Sequence, residues 1–129
     1  MPMSKDEVFA KVRDVLVSTL AVEEDEVTPQ AKLKTDLNAE SIDFLDITFQ
    51  LEKTFSIKIP KGDLMPEYVF TNPEYVQNGK LTPKGVAELK TKMPFADLST
   101  FETDPDINKI WDIFTVDTLV KFVMTKVNV

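Results

Sequence analysis

The stretch that decides the fold is Ser41-Ile42-Asp43-Phe44-Leu45-Asp46-Ile47-Thr48-Phe49-Gln50-Leu51-Glu52-Lys53-Thr54-Phe55. Ile42, Leu45, Phe49 and Glu52 fall on one line at helical spacing, and Phe44, Ile47, Leu51 and Phe55 fall on another. The pattern predicts a helix from Ser41 to about Phe55 whose apolar surface is too wide for contact with one neighbour alone. Ile57 and Ile59 then alternate around Lys58 and run into Pro60, which predicts a short extended exit. Five acids and two lysines between Asp36 and Pro60 make this span strongly acidic.

Upstream, Val8, Val12, Val15, Leu16 and Leu20 recur at three- and four-residue spacing and predict an amphipathic helix over residues 4 to 20. Ser4 and Glu7 have the spacing of a capping box, which is worth about 1 kcal/mol, and Asp6 and Glu7 suit the positive end of the helix. The acidic run Glu23–Glu26 leads through Val27, Pro29 and Leu33 to Leu37, a long ordered loop held by spaced apolar anchors.

Downstream, residues 61 to 103 carry prolines 66, 73, 83 and 94 and the turn signal Asn78-Gly79. One helix is expected inside this stretch, capped by Thr82, started by Pro83, with Val86, Leu89 and Met93 on one face, and stopped before Pro94. Tyr68, Val69, Phe70, Tyr75 and Phe95 are the expected pegs to the main body. Asp104-Pro105 reads as the start of a short helix containing Ile107, Ile110 and Trp111. After Thr115, the positions Val116, Leu119, Val120, Val123 and Val127 give a last helix whose apolar face needs the first two to cover it. The expected fold is all-α, a helical bundle with an inserted loop and a short extra helix. Residues 1–129 are read as a single domain with residues 61–103 as an insertion.

Composition excludes much chemistry. The 129 residues contain no Cys and no His, so disulfides, thiolate catalysis, sulfur-ligated metals and a histidine base are absent. Three glycines cannot build a phosphate-binding loop. The acids do not follow the spacing of a calcium loop. A net charge of −7 argues against nucleic acid and for basic partners. No apolar run exceeds three residues and Met1-Pro2-Met3-Ser4-Lys5 lacks a targeting core, so no membrane span and a cytoplasmic location are expected.

The passage Thr35-Asp36-Leu37-Asn38-Ala39-Glu40-Ser41-Ile42-Asp43-Phe44-Leu45-Asp46-Ile47 resembles the acyl carrier protein family, in which a serine within Asp-Ser-Leu opens the second helix. The matching triplet here is Glu40-Ser41-Ile42, and Asp36-Leu37-Asn38-Ala39 stands where the family has Asp-Leu-Gly-Ala. Ile47, Leu51, Glu52, Phe55, Ile59 and Pro60 continue the match, as do Thr115, Val116, Leu119, Val120 and Phe122 in the last helix. Glu40, Ile42 and Asn38 replace Asp, Leu and Gly, and Phe44 is aromatic where the family often has a small residue. Residues 61–103 have no counterpart in compact members, so the chain looks like a longer, specialised one.

The resemblance implies a carrier with no turnover of its own. Ser41 would bear 4'-phosphopantetheine through a phosphodiester and hold acyl intermediates as thioesters for fatty-acid, lipid or secondary-metabolite biosynthesis. The implied partners are a phosphopantetheinyl transferase, an enzyme of the acyl-carrier synthetase, ketosynthase or acyltransferase kind, and the acyl chain itself, which can retreat among the helices for about 0.8 kcal/mol per buried methylene. A monomer is expected.

Independently of that name, a serine at a helix start presents a reachable hydroxyl near first-turn amides that favour phosphate, while Glu40 and Asp43 repel it. The acids Glu40, Asp43, Asp46 and Glu52, with Ile42, are therefore read as a partner-docking surface; the alternative is ordinary solvated charge. For Ser41 the alternative is a plain first-turn serine. Ile42, Leu45 and Phe49 divide between core and docking patch. Phe44 either anchors a partner or enlarges the core, with core preferred. Ile47, Leu51, Phe55, Ile59, Val116, Leu119, Val120 and Val123 are expected in the core. Trp111 and the insertion aromatics are read as packing, since an insertion must offset about 1.5 kcal/mol per ordered residue. The rival functions are an unmodified acidic interaction module and, well behind it, a hydrolase using acids and lysine.

Overall fold

A computed structural model describes residues 3–60, 64, 66 and 68–127, with Ser41 described by its backbone alone. Met1 and Pro2, and part of the expected insertion (residues 61–63, 65 and 67), lie outside the described residues.

Helix α1, Lys5–Leu20, begins at the expected capping box: the Glu7 N–H donates to Ser4 Oγ and the Ser4 N–H to Glu7 Oε1. It buries Val8, Val12, Val15 and Leu16, and Ala21 ends it in the left-handed region. Helix α2 spans Ser41–Phe55 and α6 spans Val116–Val127; α1 packs against both. The expected core residues Ile47, Leu51, Phe55, Ile59, Val116, Leu119, Val120 and Val123 are all buried. They join Leu16, Leu33 and Phe114 in one apolar cluster, which covers the three faces that no single pairing of helices could bury.

The loop between α1 and α2 is ordered as expected, with a 3-10 turn at Glu24–Glu26, and it buries Val27, Ala31, Leu33, Leu37 and Ala39. Its main chain is tied to the far end of the sequence. Leu33 N–H donates to Phe114 C=O at 2.9 Å, Val116 N–H to Ala31 C=O at 3.0 Å, and Asp117 N–H to Pro29 C=O at 2.9 Å.

Residues 68–103 are more structured than their sequence suggests. They hold a short helix α3, Tyr68–Thr71, and an antiparallel hairpin of β1, Val76–Gln77, and β2, Lys80–Leu81. Helix α4, Pro83–Lys92, and a single-turn helix α5, Ser99–Thr103, follow. Asn78 and Gly79 both have positive φ, as a two-residue hairpin turn requires. Helix α4 starts as expected, with Thr82 Oγ1 accepting from the Gly85 N–H. Val69, Leu81, Leu89, Met93, Leu98 and Phe101 join the main core, and the Phe95 ring meets Phe122 of α6 edge-on at 5.0 Å.

Two expectations are corrected. Tyr68 is not a buried peg: it is exposed, because its hydroxyl donates to Glu88 Oε1 at 2.7 Å on the surface of α4. That hydrogen bond, with some desolvation, pushes the phenol up to about 12. Asp104 does not cap the following helix. The 3-10 segment Ile107–Ile113 is capped by Asp106, which accepts from the Asn108 N–H. Asp104 is instead drawn between Lys109 and Lys80, whose ammonium groups hold its carboxyl below the usual range. Pro105 is occupied by the hairpin, its C=O accepting from Leu81 N–H at 2.8 Å, while Ile107 N–H reaches Gly79 C=O at 3.0 Å.

Two tests follow from this packing. A Cβ on Gly85 would lie 2.5 Å from the Tyr75 carbonyl oxygen, so α4 approaches the hairpin at a distance only glycine allows. Gly85→Ala is expected to lower stability by about 1–3 kcal/mol in urea melts, overriding the usual helix preference for Ala. Asp117 bridges Lys5 of α1 and Lys121 of α6. Partial burial pulls its carboxyl up, but hydrogen bonds and attraction from the two lysines win and hold it below its ordinary value. A depressed carboxyl contributes stability above its unfolded pKa of about 3.9 and loses it as pH falls through the lower folded value. Thermal melts of Asp117→Asn should therefore match wild type most closely at the acid end and fall below it at pH 6–7.

Candidate functional site

The candidate site is the start of α2, and the backbone places Ser41 as its first residue. The chain arrives there along a fixed path. Leu37 and Ala39 are buried, and Ala39 N–H donates to Leu33 C=O at 2.8 Å. Between them Asn38 adopts φ 58°, the left-handed region where a glycine would sit without cost. Asn is among the residues that tolerate this conformation, so the departure at position 38 preserves the turn. Asp36 closes the preceding turn by accepting from the Lys32 N–H at 2.8 Å.

Glu40 caps α2 through its main chain: its C=O accepts from Asp43 N–H, and its own N–H donates to Asp43 Oδ2 at 2.8 Å. Asp43 is thus half-buried and turned back over the first turn. Glu40 and Asp46 are exposed. Glu52 lies one turn from the other end, where Oε2 accepts from Ile59 N–H at 2.8 Å and holds the extended exit against the helix. Of the four acids expected on one docking surface, the structure leaves Glu40 and Asp46 pointing to solvent and engages Asp43 and Glu52 with main-chain donors. The side chain of Ser41, and with it the expected reach of its hydroxyl, lies outside the described residues.

Ile42, Leu45 and Phe49 do not divide between core and surface. All three are exposed, at 72%, 74% and 54%, and form a continuous apolar stripe beside Glu40 and Asp46. Lys53 closes it with its ammonium 5.1 Å from the Phe49 ring centroid. Phe44 turns inward, as preferred, and packs on Trp111 at 4.8 Å and on Phe114 at 5.7 Å. Lys34, which the sequence did not single out, rests 5.9 Å over the Trp111 ring. A lone lysine in a loop carries no pattern that could have revealed it.

A cavity of about 450 Å³ lies between α5 and α6, lined by Lys32, Lys109, Lys121, Asp97, Asp112 and Phe101 among others. Its charged wall does not suit an alkyl chain. Among the described residues no acidic cluster could hold a metal ion, and no helix is long and apolar enough to cross a membrane.

The family described as phosphopantetheine attachment site matches residues 10–68. Curated relatives align over the same region. An acyl carrier protein of Petrotoga mobilis is 44% identical over 62 residues, covering 48% of this chain and 73% of that protein. One from Thermotoga maritima is 39% identical over 61 residues, 47% of this chain and 75% of that protein. One from Rubrobacter xylanophilus is 36% identical over 58 residues, 45% of this chain and 72% of that protein. No solved structure matches at significance.

The left-handed turn before α2 gives a direct check. Asn38→Gly should keep or slightly raise stability, whereas Asn38→Val should cost about 1–2 kcal/mol, read as a shift in urea midpoint at unchanged slope.

Proposed function

The chain belongs to the acyl carrier protein family and acts as a carrier rather than an enzyme, and on that footing we propose that Ser41 is the residue joined to its 4'-phosphopantetheine group. The residues present fit such a group. A serine supplies the hydroxyl for a phosphodiester, and Glu40 and Ile42 on either side of it are exposed, which leaves room for an arm leaving the helix. When bound, 4'-phosphopantetheine supplies a terminal thiol on a long tether, the chemistry this cysteine-free chain lacks.

The chain's own residues do three things in this reading. Leu37, Ala39 and the Asn38 turn fix where Ser41 emerges, so that a transferase meets a rigid target. Glu40 and Asp46 steer basic partners to the start of α2, affecting encounter rate more than final affinity. Ile42, with Leu45 and Phe49, supplies the apolar contact that seats them. Asp43 and Glu52 contribute by holding the first turn and the exit in register. The observation that carries the reading is the solvent-facing stripe of large apolar residues starting next to Ser41, a surface a free-standing protein does not leave bare without use.

Acyl groups and acyl-handling enzymes are the partners in general. We assign to this reading a phosphopantetheinyl transferase and an acyl-carrier synthetase, ketosynthase or acyltransferase. The setting is a cytoplasmic pathway of fatty-acid, lipid or secondary-metabolite synthesis. Residues 1–129 act as one monomeric acyl-carrier-like domain with 61–103 inserted; the single apolar cluster spanning both parts supports this.

Intact mass after coexpression with a broad-specificity transferase tests the assignment. The wild-type chain is expected to gain one phosphopantetheine increment and Ser41→Ala none, with the same melting temperature. A wild-type chain that stays unmodified with several competent transferases would instead identify an acidic interaction module. Ile42→Asp with Leu45→Asp should slow modification at least tenfold while leaving the fold intact, since neither residue is in the core.

A further inference from the structure

Trp111 is the chain's one tryptophan, and its ring meets Phe44 in the first turn of α2. Phe44, its ring neighbour at 4.8 Å, comes three residues after Ser41, on the same face of the helix and one turn along. Lys34 also lies over the ring, its ammonium 5.9 Å from the centroid, and main-chain bonds of its neighbour fix the backbone there. Leu33 donates its N–H to Phe114 C=O and accepts from Ala39 N–H, and Ala39 is two residues before Ser41. The Lys34 ammonium is exposed and forms no ion pair with a described residue, while Lys5, Lys80, Lys84, Lys90, Lys109 and Lys121 all do.

An exposed cation resting on an indole is weakly held, and a charge-assisted hydrogen bond to a phosphate oxygen is stronger. The start of α2 is otherwise acidic, with Glu40, Asp43 and Asp46 around it, so an anion on Ser41 is unfavourable there without a nearby positive charge. We propose that Lys34 is the counter-ion of the phosphodiester carried on Ser41, and that it exchanges the Trp111 ring for a phosphate oxygen when the group is attached. This rests on Ser41 being the attachment residue. Its consequence is that the unmodified and modified chains present different charge at the same corner of the molecule: a lysine resting on Trp111 in one, a neutralised lysine–phosphate pair in the other. Enzymes that must tell the two forms apart have a difference to read there.

The experiment uses the full chain in unmodified and modified forms, the state of each verified by intact mass. Trp111 is the single indole, so the emission comes from the ring that Lys34 overlies, and the Lys34 variants separate the part of any change that is due to the lysine. Wild type and Lys34→Arg should show a change in emission on modification, and Lys34→Gln should show none. The phosphorus resonance of the modified chain should differ between wild type and Lys34→Gln at low salt, and the difference should collapse near about 1 M salt, where screening reaches about 3 Å. Should Lys34→Gln prove unstable, the salt titration of the wild-type phosphorus signal and indole emission carries the test by itself: no response in either overturns the pairing. Fully modified chains with identical phosphorus and emission signals in wild type and Lys34→Gln overturn it while leaving Ser41 as the attachment residue. A chain never modified at Ser41 removes both.

Discussion

The structure depends on one set of main-chain hydrogen bonds, those that join the loop before α2 to the residues before α6. Leu33 to Phe114, Val116 to Ala31 and Asp117 to Pro29 make the two segments a short ladder, and Lys32 faces Thr115 across it. Apolar burial alone would leave α2 free to slide and rotate, because its apolar surface is wide on two sides. The ladder removes that freedom. It fixes the height of Leu37 and Ala39, and thereby the point at which Ser41 leaves the loop and enters the helix. The same bonds bring Lys34 to Trp111, so the local electrostatics of the helix start follow from the same constraint.

That constraint also explains why one side of α2 can stay bare. Ile47, Leu51 and Phe55 are fully engaged with the core, and Phe44 is held by Trp111 and Phe114. With the helix fixed by these contacts, Ile42, Leu45 and Phe49 need not be buried for stability. They lie outward at an energetic cost that only a binding partner recovers.

The three long helices, their starts and most of their core residues were legible because each carries a full set of periodic apolar positions and a local cap. Ser4 with Glu7 and Thr82 with Pro83 are caps whose partners lie within three residues, so the sequence contains both halves of the interaction. The failures involve partners far along the chain. Asp104 reads locally as a cap, but Lys80, distant in sequence, claims its carboxylate together with Lys109. Tyr68 reads as an apolar peg, but Glu88 offers its hydroxyl a partner at the surface. The hairpin β1–β2 escaped notice because each strand has two residues, too few to show alternation. At the site, the triplet around Ser41 and the acids were visible. The engagement of Asp43 and Glu52 with main-chain N–H groups was not, since a carboxylate's choice between solvent and backbone depends on where the chain turns.

The contact of α1 with α6 joins the first helix of the chain to the last. Helices α1 and α2 cover each other in part, but the rest of the α1 face waits for α6 far along the sequence, and closure of this long loop makes assembly slower than in a bundle of sequential neighbours. Tolerance of a long connection between α2 and α6 has the same origin. Lengthening a loop that must already span most of the chain adds little to the entropy of closing it, so a stretch as long as residues 61–103 carries a small thermodynamic penalty, provided it buries its own share of apolar surface.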